Sequence, residues 1–157
     1  MSDSLPKTGR LAAIDFGTVR LGVAITDPDQ RIASPLENYT RRGQAADEIW
    51  LTQLAQSELI AGFVIGLPVH TSGDESQKSR EAREFGQWIA QTTDLPVEYF
   101  DERYTTAHAE ALLLDADLTK KRRKERLDKL AAQILLAAYL ESSRDSANQK
   151  ALDDGIS

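Results

Sequence analysis

The sequence predicts an α/β domain built on a five-stranded mixed sheet, with a three-strand antiparallel meander, two parallel strands and helices on both faces. Three observations predict this class. The chain opens with apolar segments separated by short turns, it then changes to helical periodicity, and two short apolar runs each follow a helical segment. Strands that follow helices in this way join a parallel sheet through right-handed crossovers.

The first three strands are predicted to form the meander. Apolar runs at Leu11–Asp15 and Leu21–Thr26 are separated by a turn in which Gly17 supplies backbone freedom. After a second turn the chain returns as a third strand over Arg31–Tyr39, and Pro35 indicates that this strand lies at an edge of the sheet.

Two helix–strand pairs are predicted next. Gln44–Ser57 shows helical periodicity, and Ile60–Gly66 is a continuous apolar run typical of a strand that is buried on both faces. A second helix is predicted over Ser76–Gln91 and a fifth strand over Pro96–Phe100. The residues expected on the buried face of the first helix are Ala46, Ile49, Trp50, Leu54 and Ala55.

Two further helices are predicted to complete the chain. One begins at Thr105 or Thr106 and runs to about Asp115, and the last runs from about Lys124 to Ser142. Residues 10–143 therefore form one predicted domain, and the polar segments 1–9 and 144–157 are expected to be disordered.

Composition restricts the possible functions. The 157 residues include no cysteine, which excludes disulfides, thiol nucleophiles and cysteine-ligated zinc. There is no signal peptide and no apolar stretch long enough to cross a membrane, so a soluble, non-secreted protein is expected. The net charge is −6, which argues against a globally basic nucleic-acid coat. Residues 120–126 nevertheless read KKRRKER and carry +5, which leaves −11 on the rest of the chain.

Acidic residues end the strands that are predicted to be parallel. Asp15 ends the first strand, Gly66 ends the fourth, and Asp101 and Glu102 follow the fifth. Ligand sites of α/β sheets gather at the carboxyl ends of parallel strands. The sequence therefore predicts that these acids lie along one edge of the sheet.

The last predicted helix adds a further acid, Asp128, at the margin of its apolar face. Each acid also has an ordinary structural interpretation, because Asp15 could cap a turn and Asp128 could pair with Lys124 one turn earlier. If Asp15, Asp101 or Glu102, and Asp128 converge, a cluster of carboxylates without cysteine or a suitable histidine is best suited to Mg²⁺ or Mn²⁺.

The basic run lies immediately before Asp128 and should flank the acids. We expect it to bind nucleic-acid backbone with little sequence preference, because aromatic residues for base stacking are sparse nearby. The residues concerned are Lys120, Lys121, Arg122, Arg123 and Lys124. Thr18 and Arg20, just past the first strand, are further candidates for contact with the scissile phosphate, although a turn hydroxyl and a solvated base explain them equally well.

Four segments occur in order along the chain: IDFGTVRLGVAITD, VIGLP followed by SGDES, YFDERYTT, and the basic run leading into RLDKLAAQILLAAYL. Together they resemble the YqgF family, the Holliday-junction-resolvase-like proteins regarded as pre-16S rRNA nucleases. The resemblance implies an RNase H-like fold and a cytoplasmic bacterial protein that acts in maturation of the small-subunit RNA. It places the family's acids on Asp15, on Glu102 with Asp101 beside it, and on Asp128.

The predicted activity is endonucleolytic hydrolysis of phosphodiester bonds with two Mg²⁺ or Mn²⁺ ions, Asp15 bridging them while Glu102 and Asp128 each hold one. The expected substrate is the 5′ end of pre-16S rRNA, and the small ribosomal subunit or its precursor is a possible partner; no membrane is involved. Alternatives are a Holliday junction resolvase acting on branched DNA and an RNA-binding assembly factor without catalysis. DFGT also resembles the phosphate loop of actin-like and sugar-kinase ATPases, but this chain has neither the length nor the repeat for their second lobe.

Overall fold

The chain is organised around one five-stranded sheet, which a computed structural model describes together with its helices for residues 4–68, 77–105 and 130–144. A short 3₁₀ turn, Glu102–Thr105, follows the last strand, and residues 130–144 are helical and are called α3. The other elements are β1 (Arg10–Asp15), β2 (Arg20–Thr26), β3 (Ala33–Thr40), α1 (Gln44–Ser57), β4 (Ile60–Leu67), α2 (Gln77–Thr93) and β5 (Val97–Asp101).

The strand order is β3-β2-β1-β4-β5. The β1–β2 and β2–β3 pairs are antiparallel, whereas β1–β4 and β4–β5 are parallel. This arrangement confirms the predicted meander, the two parallel strands and the edge position of β3. Because β1, β4 and β5 run in the same direction, their carboxyl ends meet at one edge of the sheet, which we call the carboxyl edge.

Two separate cores cover the two faces of the sheet, as the alternation of side chains along a strand requires. Ala12 and Ile14 of β1 belong to the core formed with α1 and α2, whereas Leu11 and Ala13 belong to the core formed with α3. Leu5, which precedes the predicted domain boundary, is buried in the α3 core. No helix in the described ranges is long and apolar enough to cross a bilayer.

The buried face of α1 differs from the prediction. Ile49, expected in the core, is 60% exposed, while Asp47 and Leu51 are buried with Trp50 and Leu54. The helix is turned so that the carboxylate of Asp47 reaches the phenol of Tyr39 at 2.6 Å. Hydrophobic periodicity alone missed this rotation because it counts a carboxylate as a surface group.

The prediction of an α-helix beginning at Thr105 or Thr106 falls mostly outside the described residues. Up to Thr105 the chain forms the 3₁₀ turn, in which the Thr105 hydroxyl donates to the carbonyl of Glu102 at 2.7 Å. The predicted disordered segments 1–9 and 144–157 are described only in part and remain predictions.

Candidate active site

The end of β1 places Asp15 on the face of the sheet that α3 covers. Side chains alternate along a strand, so Asp15 shares its face with Leu11 and Ala13, which pack against α3. In the parallel pairing, Ala13 lies opposite Val64 and Ile14 lies opposite Ile65. One residue further along both strands, Asp15 therefore lies beside Gly66, on strands about 4.8 Å apart.

Glu102 reaches the same place from the next strand. A Cβ atom at Gly66 would lie 2.5 Å from Oε1 of Glu102 and 3.0 Å from its Cγ. The Glu102 side chain therefore folds back over β4 and fills the space directly beside Asp15. Glycine at this position is required by the close approach, because any larger residue would displace the carboxylate. The structure thus brings two of the predicted acids, Asp15 and Glu102, to neighbouring positions on one face of the carboxyl edge.

The surroundings of Glu102 disfavour its charge. Burial raises the pKa of the Glu102 carboxyl above its ordinary value, and the negative charge of Asp101 raises it further. No side chain or backbone group in the described ranges donates a hydrogen bond to this carboxylate. A half-buried carboxylate without donors is costly in its ionised form unless a cation compensates it. Its oxygen atoms, with those of Asp15, are the hard donors that Mg²⁺ or Mn²⁺ prefers.

Asp101 has a different environment, although it is adjacent in sequence. The backbone N–H of Arg103 donates to its Oδ1 at 2.9 Å, and the Arg103 guanidinium donates to its Oδ2 at 2.8 Å. The hydrogen bond from this guanidinium is the main cause that lowers the pKa of Asp101. Because both oxygen atoms already have donors, Glu102 is the better candidate ligand from this segment, and Asp101 fixes the turn that carries it.

The remaining predicted residues divide into two groups. Arg20 begins β2 at the carboxyl edge, opposite Thr40, and Thr18 lines a groove at the same edge. Asp128 and the basic residues Lys120, Lys121, Arg122, Arg123 and Lys124 lie outside the described residues. Within the described ranges no three Asp, Glu or His side chains are close enough to hold a metal ion.

Gly17 has a steric role that differs from the predicted one. Its φ is not in the left-handed region, but a Cβ atom there would collide with the carbonyl oxygen of Arg20. The turn between β1 and β2 is therefore too tight for a side chain at this position, and this closeness sets where Thr18 and Arg20 stand relative to Asp15.

Sequence reasoning missed a hydrogen-bonded cluster at the same edge. Asp47, 1% exposed, accepts hydrogen bonds from the Tyr39 hydroxyl, from the Arg42 backbone N–H at 2.9 Å and from Nε of Arg41 at 3.3 Å. Burial opposes ionisation, but these bonds outweigh it and lower the pKa of Asp47. The signal in the sequence was two arginines directly after a strand, followed by an acid in the first turn of the next helix.

Comparison with known proteins identifies the family. Residues 9–142 match the family model described as "RuvX: Holliday junction resolvase". The chain belongs to the RuvX family. This confirms the resemblance to YqgF proteins, since the same family is meant by both names. The four motifs on which the resemblance rested all lie within the matched residues.

Relatives of the RuvX chain match most of its length. A Rhodopirellula baltica protein is 46% identical over 163 residues, covering 97% of this chain and 94% of the relative. A Rhodobacter capsulatus protein is 39% identical over 138 residues, covering 88% of this chain and 87% of the relative. Both relatives carry the name "Putative pre-16S rRNA nuclease".

Solved structures confirm the RNase H-like fold of this RuvX chain. RuvC from T. thermophilus, in complex with Holliday junction substrate, matches with a TM-score of 0.56 at 13% identity, covering 85% of this chain and 96% of RuvC. Fowlpox virus resolvase, in complex with Holliday junction DNA, matches with a TM-score of 0.53 at 12% identity, covering 85% of this chain and 97% of the resolvase.

Proposed function

We propose that this RuvX protein is a metal-dependent endonuclease of the cytoplasm that processes the 5′ end of pre-16S rRNA during ribosome biogenesis. The observation that carries the proposal is the placement of Asp15 and Glu102 side by side at the carboxyl edge, made possible by Gly66. The names of the relatives support the rRNA substrate, and the family supports phosphodiester hydrolysis.

Asp15, Glu102 and Asp128 are the residues that would hold Mg²⁺ or Mn²⁺. Two such ions, when bound, supply Lewis-acid activation of water and stabilisation of the leaving oxygen. Asp101 has a positioning role: its bonds to Arg103 hold the turn that aims Glu102 over β4. Burial and the charge of Asp101 raise the pKa of the Glu102 carboxyl, and a bound cation would offset both effects by favouring the ionised form.

Substrate binding is assigned to positive charge near the acids. Thr18 and Arg20 lie at the carboxyl edge, in and just after the turn that follows Asp15. A phosphate bound at the acids would have to lie close to both residues. The basic residues Lys120 to Lys124 would add backbone contacts whose contribution falls steeply with salt. A variant in which these five bases are neutralised should bind RNA with a shallower salt dependence, and an unchanged slope would contradict the assignment.

A second candidate activity is resolution of four-way DNA junctions. It is favoured by the description of the family model and by the fold shared with two resolvases bound to junction DNA. Both candidate activities use the same acids, so the substrate has to be determined by direct comparison.

The experiment is cleavage of labelled precursor rRNA and of a four-way DNA junction in Mg²⁺, Mn²⁺ or EDTA. Asp15→Asn should abolish cleavage while leaving folding and substrate binding intact. The matched control is Asp29→Asn, which removes an exposed acid from the turn at the other end of the sheet and should leave cleavage unchanged. Full activity of Asp15→Asn would overturn the assignment of the site.

The choice of substrate follows from the same assay. Cutting of the junction but not of the RNA would favour the resolvase. If neither substrate is cut and salt-sensitive RNA binding remains, the non-catalytic assembly factor becomes the better description.

A further inference from the structure

A groove of about 570 Å³ opens at the carboxyl edge on the face opposite Asp15. Its walls are the turn after β1, the connection from β3 to α1, and one side of α2. The side chains that give the groove its character are Phe16, Thr18, Arg41, Glu84, Phe85 and Trp88. Phe16 directly follows Asp15, so a nucleic-acid strand that crosses the edge at the acids passes the mouth of this groove.

The groove contains a cluster of three aromatic rings. The centroids of Phe16 and Phe85 are 4.8 Å apart, and those of Phe85 and Trp88 are 5.5 Å apart. Phe85 is buried and supports the other two, which are only partly buried. Partly exposed aromatic side chains beside a phosphate path are the usual platforms on which unpaired bases stack.

Arg41 is held beside these rings. Its guanidinium carbon lies 5.9 Å from the centroid of Phe16 and 5.7 Å from that of Phe85. Its backbone N–H donates to the carbonyl of Val19 at 2.9 Å, and its Nε donates to buried Asp47. Within the described residues its two terminal nitrogens donate no hydrogen bond, so they can meet a phosphate without giving up an existing partner.

The charges of the groove are divided between its two sides. Arg41 stands on the side of the sheet edge together with its buried partner Asp47, whereas Glu81 and Glu84 of α2 stand on the far side. The carboxylates would repel a phosphate, but they can accept hydrogen bonds from the exocyclic amino group of a base. This division suits a nucleotide whose phosphate stays at Arg41 while its base enters the groove.

We propose that this groove binds one unpaired nucleotide that flanks the scissile phosphate and whose base bears an exocyclic amino group, as adenine, cytosine and guanine do. The proposal rests on the proposed nuclease function and deepens it, since it selects substrates with a single-stranded segment next to the cut. The base stacks on Phe16 and Trp88, Arg41 binds its phosphate, and Glu84 accepts from its amino group. Asp47 acts as a positioning residue that holds Arg41 over the rings.

The test uses Trp88 as a reporter, because the chain has only two tryptophans and Trp50 is buried against Tyr39. The Trp50→Phe protein is titrated in EDTA with short oligoadenylate, oligouridylate and a blunt RNA duplex. Oligoadenylate should quench the Trp88 fluorescence more than oligouridylate does, and the duplex should leave it unchanged. Saturating oligoadenylate without quenching would overturn the proposal.

Variants locate the binding energy. Arg41→Gln should weaken oligoadenylate binding about tenfold, the size of one lost stacking or charged contact. Arg31→Gln is the matched control, since it removes an exposed arginine at the opposite end of the sheet and should bind like the wild type. If both variants weakened oligoadenylate binding equally, the effect of Arg41→Gln would reflect only non-specific charge, and the proposal would be overturned.

A surface variant covers the case in which a core change unfolds the protein. Phe16→Leu should abolish the quenching of Trp88 fluorescence. Because Phe16 is packed against the core, the melting temperature of this variant has to be measured as well. Glu84 is exposed, and Glu84→Ala removes the proposed acceptor, so this variant should reduce the preference for oligoadenylate over oligouridylate without changing stability. An unchanged preference would refute the base contact.

Failure of this proposal is distinguishable from failure of the nuclease assignment, because binding is measured without metal. Quenching by a protein that cleaves no substrate would uphold the groove and reject the nuclease. Metal-dependent cleavage without quenching would uphold the nuclease and reject nucleotide binding in the groove.

Discussion

The carboxylate of Glu102 occupies the volume into which a side chain at Gly66 would project. Two strands are joined by this relationship, since Gly66 belongs to β4 and Glu102 follows β5. Because Gly66 has no side chain, the carboxylate of Glu102, a candidate metal ligand, can take this position. The first prediction follows from this.

Gly66→Ala should displace Glu102 and weaken metal binding while the fold is retained. The added methyl would meet Oε1 and Cγ of Glu102, and an overpacked site of this kind costs about 1–3 kcal/mol of unfolding free energy. Calorimetric titration measures the affinity for Mn²⁺, and a cleavage assay measures the rate. The affinity and the rate should fall together.

Gly62→Ala is the control for that substitution. Gly62 lies on the same strand and the same face, and a Cβ atom there would meet the flexible end of Leu5 at 2.8 Å. It should lower stability by a similar amount but leave Mn²⁺ binding unchanged. Equal loss of Mn²⁺ binding in the two variants would mean that strain in β4, and not the position of Glu102, is responsible.

Glu102→Gln should stabilise the metal-free protein at neutral pH. Because burial raises the pKa of Glu102, the folded state binds the proton more tightly than the unfolded state. The unfolding free energy of the wild type therefore falls as pH rises from the ordinary glutamate pKa through the raised one. Thermal melts across this interval should show that decline in the wild type and a weaker one in the variant. Mg²⁺ should raise the melting temperature of the wild type only.

Asp101→Asn should shift the pH dependence of cleavage rather than abolish it. The charge of Asp101 contributes to the raised pKa of Glu102, so its removal lets Glu102 ionise at lower pH. The asparagine carbonyl can still accept from the Arg103 backbone, which preserves the turn. The acidic limb of the profile of kcat/KM against pH should move to lower pH. A loss of Mn²⁺ binding as complete as in Glu102→Gln would instead identify Asp101 as a ligand.

Asp47→Ala should destabilise the protein by about 3–5 kcal/mol, because it leaves Tyr39 and Arg41 without their buried acceptor. Tyr39→Phe removes a single hydrogen bond and should cost about 1 kcal/mol. The pKa of Asp47 is lowered in the folded state, so its contribution is present at neutral pH and is lost as pH falls through that lowered value. Urea unfolding at neutral and acidic pH measures these differences, and equal effects of the two variants would contradict the shared role of Asp47.

Local patterns in the sequence were sufficient to predict the sheet and the edge that Asp15 and Glu102 share. The run at Ile60–Leu67 contains no polar residue to suggest another structure, and the rule for parallel strand ends placed Asp15 and Glu102 on one edge. Contacts between distant segments were not predictable in this way. Burial of Asp47 depends on Tyr39 of the preceding strand, and exposure of Ile49 follows from it.

Local sequence patterns also could not show why glycine is required at positions 66 and 17. Gly66 looked like the end of an apolar run, whereas its function is to leave room for a carboxylate from another strand. Gly17 was expected to supply backbone freedom at the turn, whereas glycine is needed there for the close approach of the Arg20 carbonyl. Both requirements depend on which backbone or side-chain atoms of other residues lie close to the glycine. Neither hydrophobic periodicity nor secondary-structure propensity contains that information.

The pairing of β5 with β4 also determines when Glu102 reaches Asp15 during synthesis of the chain. Asp15 leaves the ribosome early, but Glu102 joins it only after α1, β4 and α2 have emerged and β5 has added to the sheet. Because chains are released from the N-terminus onward, an unfinished copy has one acid without the other. Under the proposed function, a nascent chain surrounded by ribosomal RNA would therefore stay inert until β5 has paired with β4 and Asp128 has also been synthesised.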